Sequence, residues 1–148
     1  MVMNVNAKGT FLMCREVLRV WTRNSKAGAI VNTGSVVTQP PRREYFATAG
    51  YAASKGAVEA MTLSAAASYK PAGIRINVIA PGLVRAHMTG RAQGDPRLLK
   101  HIAGKQPLTQ GLLSPDDIAK TASFLLRKDS SPITGQVVTV DGGWAVIT

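Results

Sequence analysis

Residues 74–82 read Ile74-Arg75-Ile76-Asn77-Val78-Ile79-Ala80-Pro81-Gly82. Branched apolar residues dominate this segment, which predicts a strand over residues 74–80 that the Pro-Gly pair ends. A second apolar run, at residues 29–33, follows Gly28 and also predicts a buried strand. A third run occupies residues 136–140, directly before Asp141-Gly142-Gly143.

Helical patterns separate these strands. Apolar side chains three or four positions apart indicate a helix over residues 5–22. Residues 51–69 are rich in alanine, methionine and leucine and predict a second helix, which a proline and a glycine end. A third helix is predicted to begin at Ser114, whose hydroxyl would cap it, and to run to about Lys128.

The alternation of strands and helices predicts an α/β fold with a parallel sheet, in one domain that spans residues 1–148. Three strands are fewer than an open, doubly wound sheet usually has, so we expect the chain to be part of a larger domain. Residues 85–113 are expected to form a loop with one short helix near residues 96–104. A second loop is expected around Pro40-Pro41-Arg42-Arg43-Glu44.

Composition narrows the classes of function. The 148 residues carry a formal net charge of +10, but the basic residues are scattered, which disfavours a nucleic-acid partner. No apolar stretch approaches the ~20 residues that span a membrane, and the first residues do not resemble a signal peptide. The single cysteine, Cys14, cannot form an internal disulfide. We therefore expect a cytoplasmic protein that binds neither nucleic acid nor membrane.

Tyr51 and Lys55 are candidates for proton transfer. They lie four residues apart and would share one face of the second helix. A free phenol has a pKa near ~10, and a neighbouring cation is expected to lower it. The pair is therefore a plausible general acid/base, although an exposed tyrosine beside an exposed lysine would give the same spacing.

Two further positions are predicted to meet Tyr51. Ser35 follows the strand at residues 29–33, and Pro81-Gly82 follows the strand at residues 74–80. The carboxyl ends of parallel strands lie at one edge of the sheet and form its functional crevice. Ser35, the start of the Tyr51 helix and Pro81-Gly82 should therefore converge there.

Taken together, these motifs resemble the short-chain dehydrogenase/reductase family. The resemblance rests first on Tyr51-x-x-x-Lys55, preceded by Asn32-Thr33-Gly34-Ser35 and followed by residues 74–82. Residues 5–11, 114–119 and 133–143 resemble further segments of that family in the same order. The resemblance implies a Rossmann-like, doubly wound parallel sheet, of which this chain would be the C-terminal half.

The resemblance also implies a function. The family interconverts secondary alcohols and ketones by hydride transfer with NAD or NADP, and its members form homodimers or homotetramers. Tyr51 would be the acid/base, Lys55 would lower its pKa and bind the nicotinamide ribose, and Ser35 would hold the substrate oxygen. Asn6 would fix a water that links Lys55 to solvent. The backbone near Pro81, Gly82 and Val84 would hold the nicotinamide carboxamide.

The chain departs from the family pattern in two respects. It has no strand followed by a glycine-rich turn that would cradle the cofactor pyrophosphate, so the chain alone is expected to be inactive. Ala86 stands where the family often has a threonine, and Thr89 is displaced from that place.

An alternative function is that of a truncated, non-catalytic fragment that acts only by associating with full-length relatives. His87 and His101 lack metal-ligand spacing and are expected to be surface or lid residues.

Overall fold

The computed structural model describes residues 1–38 and 48–146. The loop expected around Pro40 and Glu44 lies outside these residues. The described part contains a parallel sheet of three strands, β1 (Gly28–Thr33), β2 (Ile74–Pro81) and β3 (Val137–Val140), in the order β1-β2-β3. The predicted α/β fold with a parallel sheet is confirmed, and each strand lies within one residue of its predicted bounds.

The helices largely follow the sequence pattern. They are α1 (Gly9–Arg23), α2 (Ala49–Tyr69), α3 (Gly90–Gln93), α4 (Pro96–Lys105) and α5 (Pro115–Leu126). The short helix α3 was not predicted, because its four residues are too few for apolar periodicity to show. Among the described residues, no helix is both long and apolar enough to cross a membrane.

Helices cover both faces of the sheet. Ile74 and Ile76 of β2 are buried in a cluster with Cys14 and Leu18 of α1 and Ala66 of α2. Side chains alternate along a strand, so the intervening positions of β2 point to the opposite face. There the Arg75 guanidinium donates to the Leu125 carbonyl at the end of α5, at 2.9 Å. This arrangement is the doubly wound layering that the sequence predicts.

The start of α5 is built as its sequence predicts. The Ser114 hydroxyl accepts a hydrogen bond from the Asp116 N–H at 3.2 Å, and the Ser114 N–H donates to the Asp117 carboxylate at 2.9 Å. This reciprocal pair is a capping box. It fixes where residues 85–113 rejoin the body of the fold.

Candidate active site

A cavity of about 490 Å³ opens at the carboxyl ends of β1 and β2. Five of the predicted site residues line it: Ser35, Tyr51, Pro81, Gly82 and Val84. The other two, Asn6 and Lys55, line a neighbouring cavity of about 420 Å³. Thr33, the last residue of β1, borders both cavities. The structure therefore brings all seven residues to one edge of the sheet.

Tyr51 and Ser35 line the same cavity, and Ser35 is buried just after β1. Burial raises the pKa of Tyr51, and the neighbouring Ser35 side chain offsets part of that rise. Lys55 is not among the causes of this shift, so its expected effect on the pKa of Tyr51 stays a prediction.

Lys55 lies one turn further along α2, and its ammonium is held by the backbone. The Lys55 Nζ donates to the Thr33 carbonyl at 2.8 Å and lies 5.7 Å from the centre of the Tyr51 ring. Burial lowers the pKa of Lys55. An ammonium has three N–H donors, and the bond to Thr33 uses one of them. The others remain as donors for a ligand hydroxyl in the neighbouring cavity.

Asn6 is tied to the same helix. Its Nδ2 donates to the Ser54 hydroxyl at 3.0 Å, and Ser54, which is fully buried, donates to the Tyr51 carbonyl at 2.7 Å. Asn6 lies in a π-helical turn, Asn4–Lys8, just before α1. Such turns are often found at functional sites, and the helical spacing of residues 5–22 gives no sign of one.

Gln106 is a residue that the sequence reasoning missed. It is fully buried, its Oε1 accepts from the Leu83 N–H at 2.6 Å, and its Nε2 donates to the Leu83 carbonyl at 3.1 Å. A side chain at Gly82 would collide with Gln106 and with the Asp141 backbone. Glycine at position 82 and glutamine at position 106 thus fix the backbone between Gly82 and Val84. A lone glutamine before a proline carries no sequence signal for this role.

Residues 85–112 form a lid over the cavity, with both ends pinned together. The Leu113 N–H donates to the Leu83 carbonyl, and the Arg85 N–H donates to the Leu113 carbonyl, each at 2.9 Å. Within the lid, the Thr89 hydroxyl donates to the Val84 carbonyl at 2.7 Å and accepts from the Ala86 N–H at 3.0 Å. Thr89 therefore braces the start of the lid.

The two histidines and the cysteine lie on the surface or pack against other side chains. His87 is exposed on the lid, and His101 packs edge-on against Trp144 with ring centres 6.1 Å apart. Cys14 is buried, and its thiol donates to the Asn32 side chain at 3.4 Å. In residues 1–38 and 48–146, no group of three or more His, Cys, Asp or Glu side chains could hold a metal ion.

Comparison with known proteins gives the family. Residues 1–145 match the family described as Enoyl-(Acyl carrier protein) reductase. A short-chain dehydrogenase from Leptospira borgpetersenii with bound NAD+ superposes with a TM-score of 0.85 at 31% identity, over 96% of this chain and 54% of that one. This chain belongs to the short-chain dehydrogenase/reductase family.

Other members of the short-chain dehydrogenase/reductase family are similar to this chain. Glucose 1-dehydrogenase of Gluconobacter oxydans is 39% identical over 142 residues, which are 96% of this chain and 52% of that protein. A gluconate 5-dehydrogenase from Burkholderia cenocepacia, in complex with NADP and tartrate, superposes with a TM-score of 0.91 at 29% identity, over 99% of this chain and 55% of that one. This short-chain dehydrogenase/reductase chain therefore spans about half the length of the relatives that it matches.

Proposed function

We propose that the protein is an NAD- or NADP-dependent oxidoreductase that interconverts a secondary alcohol and a ketone, with Tyr51 as the acid/base. One observation carries the proposal. Ser35 and Tyr51 line one cavity together with the backbone from Pro81 to Val84, and the Ser35 side chain lies near enough to the Tyr51 phenol to influence its pKa. A carbonyl oxygen placed between two hydroxyl donors is polarised toward reduction.

The solved relatives and the hydrogen-bond donors of this chain both support NAD or NADP as the cofactor. NAD+ and NADP are bound in the two solved relatives described above. In this chain, the Lys55 ammonium retains donors that would hold the nicotinamide ribose. The backbone at Pro81, Gly82 and Val84, held in place through Gln106, would bind the carboxamide. A bound nicotinamide supplies or accepts the hydride.

The side chains of this chain handle the proton. In ketone reduction, Ser35 and Tyr51 would donate hydrogen bonds to the carbonyl oxygen, and the Tyr51 proton would pass to that oxygen as the carbonyl carbon gains the hydride. The raised pKa of Tyr51 keeps the phenol protonated at neutral pH, which is the form that a proton donor needs. In alcohol oxidation, the proton would return to the Tyr51 phenolate. Asn6 and Lys55, which share the neighbouring cavity, would hold a water that restores the proton.

The test is an assay of the protein at its natural full length with NADH or NADPH and a panel of ketones. We expect turnover with at least one of the two cofactors and a loss of about 10²-fold or more in Ser35→Ala, a size typical of one lost donor to the reacting oxygen. The control is Ser68→Ala, an exposed serine on the same helix as Tyr51. Equal turnover by the two variants would contradict the proposal.

A second candidate is association with full-length relatives without catalysis. The observation that favours it is the outer edge of β1, which has no strand partner within residues 1–38 and 48–146. An unpaired strand edge is a template for pairing with another chain. Calorimetric titration with NADH and NADPH tests whether the 148-residue chain alone carries a cofactor site, and the ketone assay above separates the two candidates. We expect binding by this chain alone to be no tighter than millimolar, because it carries no glycine-rich turn for the pyrophosphate.

The cellular location is also proposed. The chain has one cysteine, Cys14, which is buried and reduced, and no pair that could form a disulfide within it. A protein of this kind needs no oxidising compartment. We therefore propose the cytoplasm.

A further inference from the structure

The cavity beside Ser35 and Tyr51 has one polar end and apolar walls. Away from these two hydroxyls, its walls come from Val37, Leu83, Met88 and Leu98. Leu83 and Leu98 belong to a buried apolar cluster beneath the lid, so the walls rest on packed hydrocarbon. Within the part of the chain that the structure describes, a substrate bound at Ser35 and Tyr51 would therefore have these apolar side chains beside it.

The other polar side chains on the cavity are already engaged or lie at exposed positions. The Thr89 hydroxyl donates to the Val84 carbonyl and accepts from the Ala86 N–H. Arg91 takes part in an interaction of its own. Thr33 and Thr48 are exposed. Among the described residues that line the cavity, Ser35 is thus a buried polar side chain and Tyr51 a half-buried one.

This distribution distinguishes two kinds of alcohol. A polyol has a hydroxyl on every carbon, and each hydroxyl that leaves water without a new partner is penalised. An alcohol with hydrocarbon on both sides of the reacting carbon leaves no polar group unpaired, and its apolar surface is removed from water. The cavity walls suit the second kind.

Met88 is an exposed apolar residue of the lid. It lies in the short turn His87–Thr89, lines the cavity and is 78% exposed. A methionine is flexible and polarisable, so it fits apolar groups of varied shape. Its exposure also means that substitution there removes no contact on which the fold depends.

We propose that the substrate is an alcohol or ketone whose reacting carbon is flanked by hydrocarbon, an inference that rests on the proposed function. We also propose that Met88 contacts this substrate and is a specificity-determining residue. The substrate class and the residue are linked, because Met88 would contribute only apolar contact. Its substitution should therefore change KM for apolar substrates and leave the proton transfer at Tyr51 unchanged.

The experiment compares 2-hexanol with sorbitol, a polyol of the same carbon number, as substrates of the full-length protein with NAD+ or NADP+. We expect kcat/KM to be at least about tenfold higher for 2-hexanol. Met88→Gln should raise KM for 2-hexanol by about threefold to tenfold with kcat little changed, and Met88→Leu should retain the wild-type KM. The matched control is Leu108→Gln, since Leu108 is 85% exposed on the same lid and does not line the cavity.

The possible outcomes separate this inference from the proposal on which it rests. Turnover that favours sorbitol, or a Met88→Gln variant with the same KM as Leu108→Gln, overturns the inference and leaves the proposed function standing. If the protein oxidises neither alcohol and reduces no ketone, both the inference and the proposed function are overturned. Preference for 2-hexanol with a KM effect confined to Met88→Gln supports the inference.

Discussion

At the scale of single residues, two neighbouring influences act on the acidity of the Tyr51 phenol. Burial is the larger and raises the pKa of Tyr51, and the neighbouring Ser35 side chain opposes that rise. Ser35→Ala should therefore raise the pKa of Tyr51 further. Ketone reduction needs the protonated phenol, so its rate falls as pH rises through this pKa, and the alkaline fall should move to higher pH in the variant.

The measurement is the pH profile of kcat/KM for ketone reduction, in wild type, Ser35→Ala and the control Ser68→Ala. Ser35→Ala should be slower at every pH and should lose activity only at more alkaline pH than wild type. Ser68→Ala should have the wild-type profile. An alkaline limb that stays in place or moves to lower pH in Ser35→Ala would show that the two hydroxyls are not coupled in this way.

Lys55 shows how a spacing argument reaches its limit. The separation of four residues places Lys55 and Tyr51 on one helix face, as the structure confirms. The ammonium nevertheless bonds to the Thr33 carbonyl, and burial is the main influence on the pKa of Tyr51. Spacing along a helix predicts which side chains are neighbours, whereas the burial that governs a pKa comes from elements distant in sequence.

At the scale of elements, Gln106 joins the end of α4 to the segment that follows β2. Gln106→Met fills similar space but leaves the Leu83 N–H without its partner and removes one of the two donors to the Leu83 carbonyl. We expect a loss of about 1–3 kcal/mol in the free energy of unfolding, because a buried polar group without a partner is penalised by that amount. We also expect a higher KM for NAD(P)H, because the Gly82–Val84 backbone is no longer fixed.

The control for Gln106→Met is Gln110→Met, an exposed position on the same lid. Urea unfolding and cofactor KM are measured on both variants and on Gln106→Glu, which keeps an acceptor for the Leu83 N–H. The expected order of cofactor KM is Gln106→Met highest, Gln106→Glu intermediate and Gln110→Met equal to wild type. Equal cofactor KM values in all three variants would show that Gln106 does not position the cofactor-binding backbone.

Most of the elements could be predicted from local patterns, and the exceptions share a physical cause. The strands follow from branched apolar runs, and the start of α5 follows from Ser114 with Pro115 and Asp117. The bond of Asn6 to Ser54 and the bonds of Gln106 to Leu83 join residues 48 and 23 positions apart. Periodicity and capping report on neighbours in sequence, so contacts of this kind leave no trace in them.

At the scale of the whole molecule, apolar residues are exposed on the helices that cover one face of the sheet. On α1, Met13 is 68% exposed and Val20 is 50% exposed, and on α2 Leu63 is 44% exposed. Met13 and Val20 lie two turns apart and share one face of α1. We propose that these helices pair with a second copy, so that the full-length protein is a homodimer or homotetramer.

Light scattering at micromolar concentration tests this assembly. The wild-type protein should have at least twice the mass of one chain, and Met13→Lys with Leu63→Lys should shift it toward the monomer, because two charges would be buried without partners. Leu108→Lys, at an exposed apolar residue of the lid, should leave the mass unchanged. A monomeric wild-type protein would exclude the proposed pairing.

Tyr51 is the residue on which the proposed chemistry depends, and removal of one atom tests it. Tyr51→Phe deletes the hydroxyl that gives and takes the proton, whereas Tyr69→Phe deletes a hydroxyl at the end of the same helix, where the ring packs against the core. Both variants are assayed at full length for NAD(P)-dependent turnover. We expect Tyr51→Phe to lose about 10²- to 10⁴-fold in kcat, and Tyr69→Phe to remain near wild type. Turnover by Tyr51→Phe within about threefold of wild type, well short of the loss of a general acid/base, would contradict the proposed role of Tyr51.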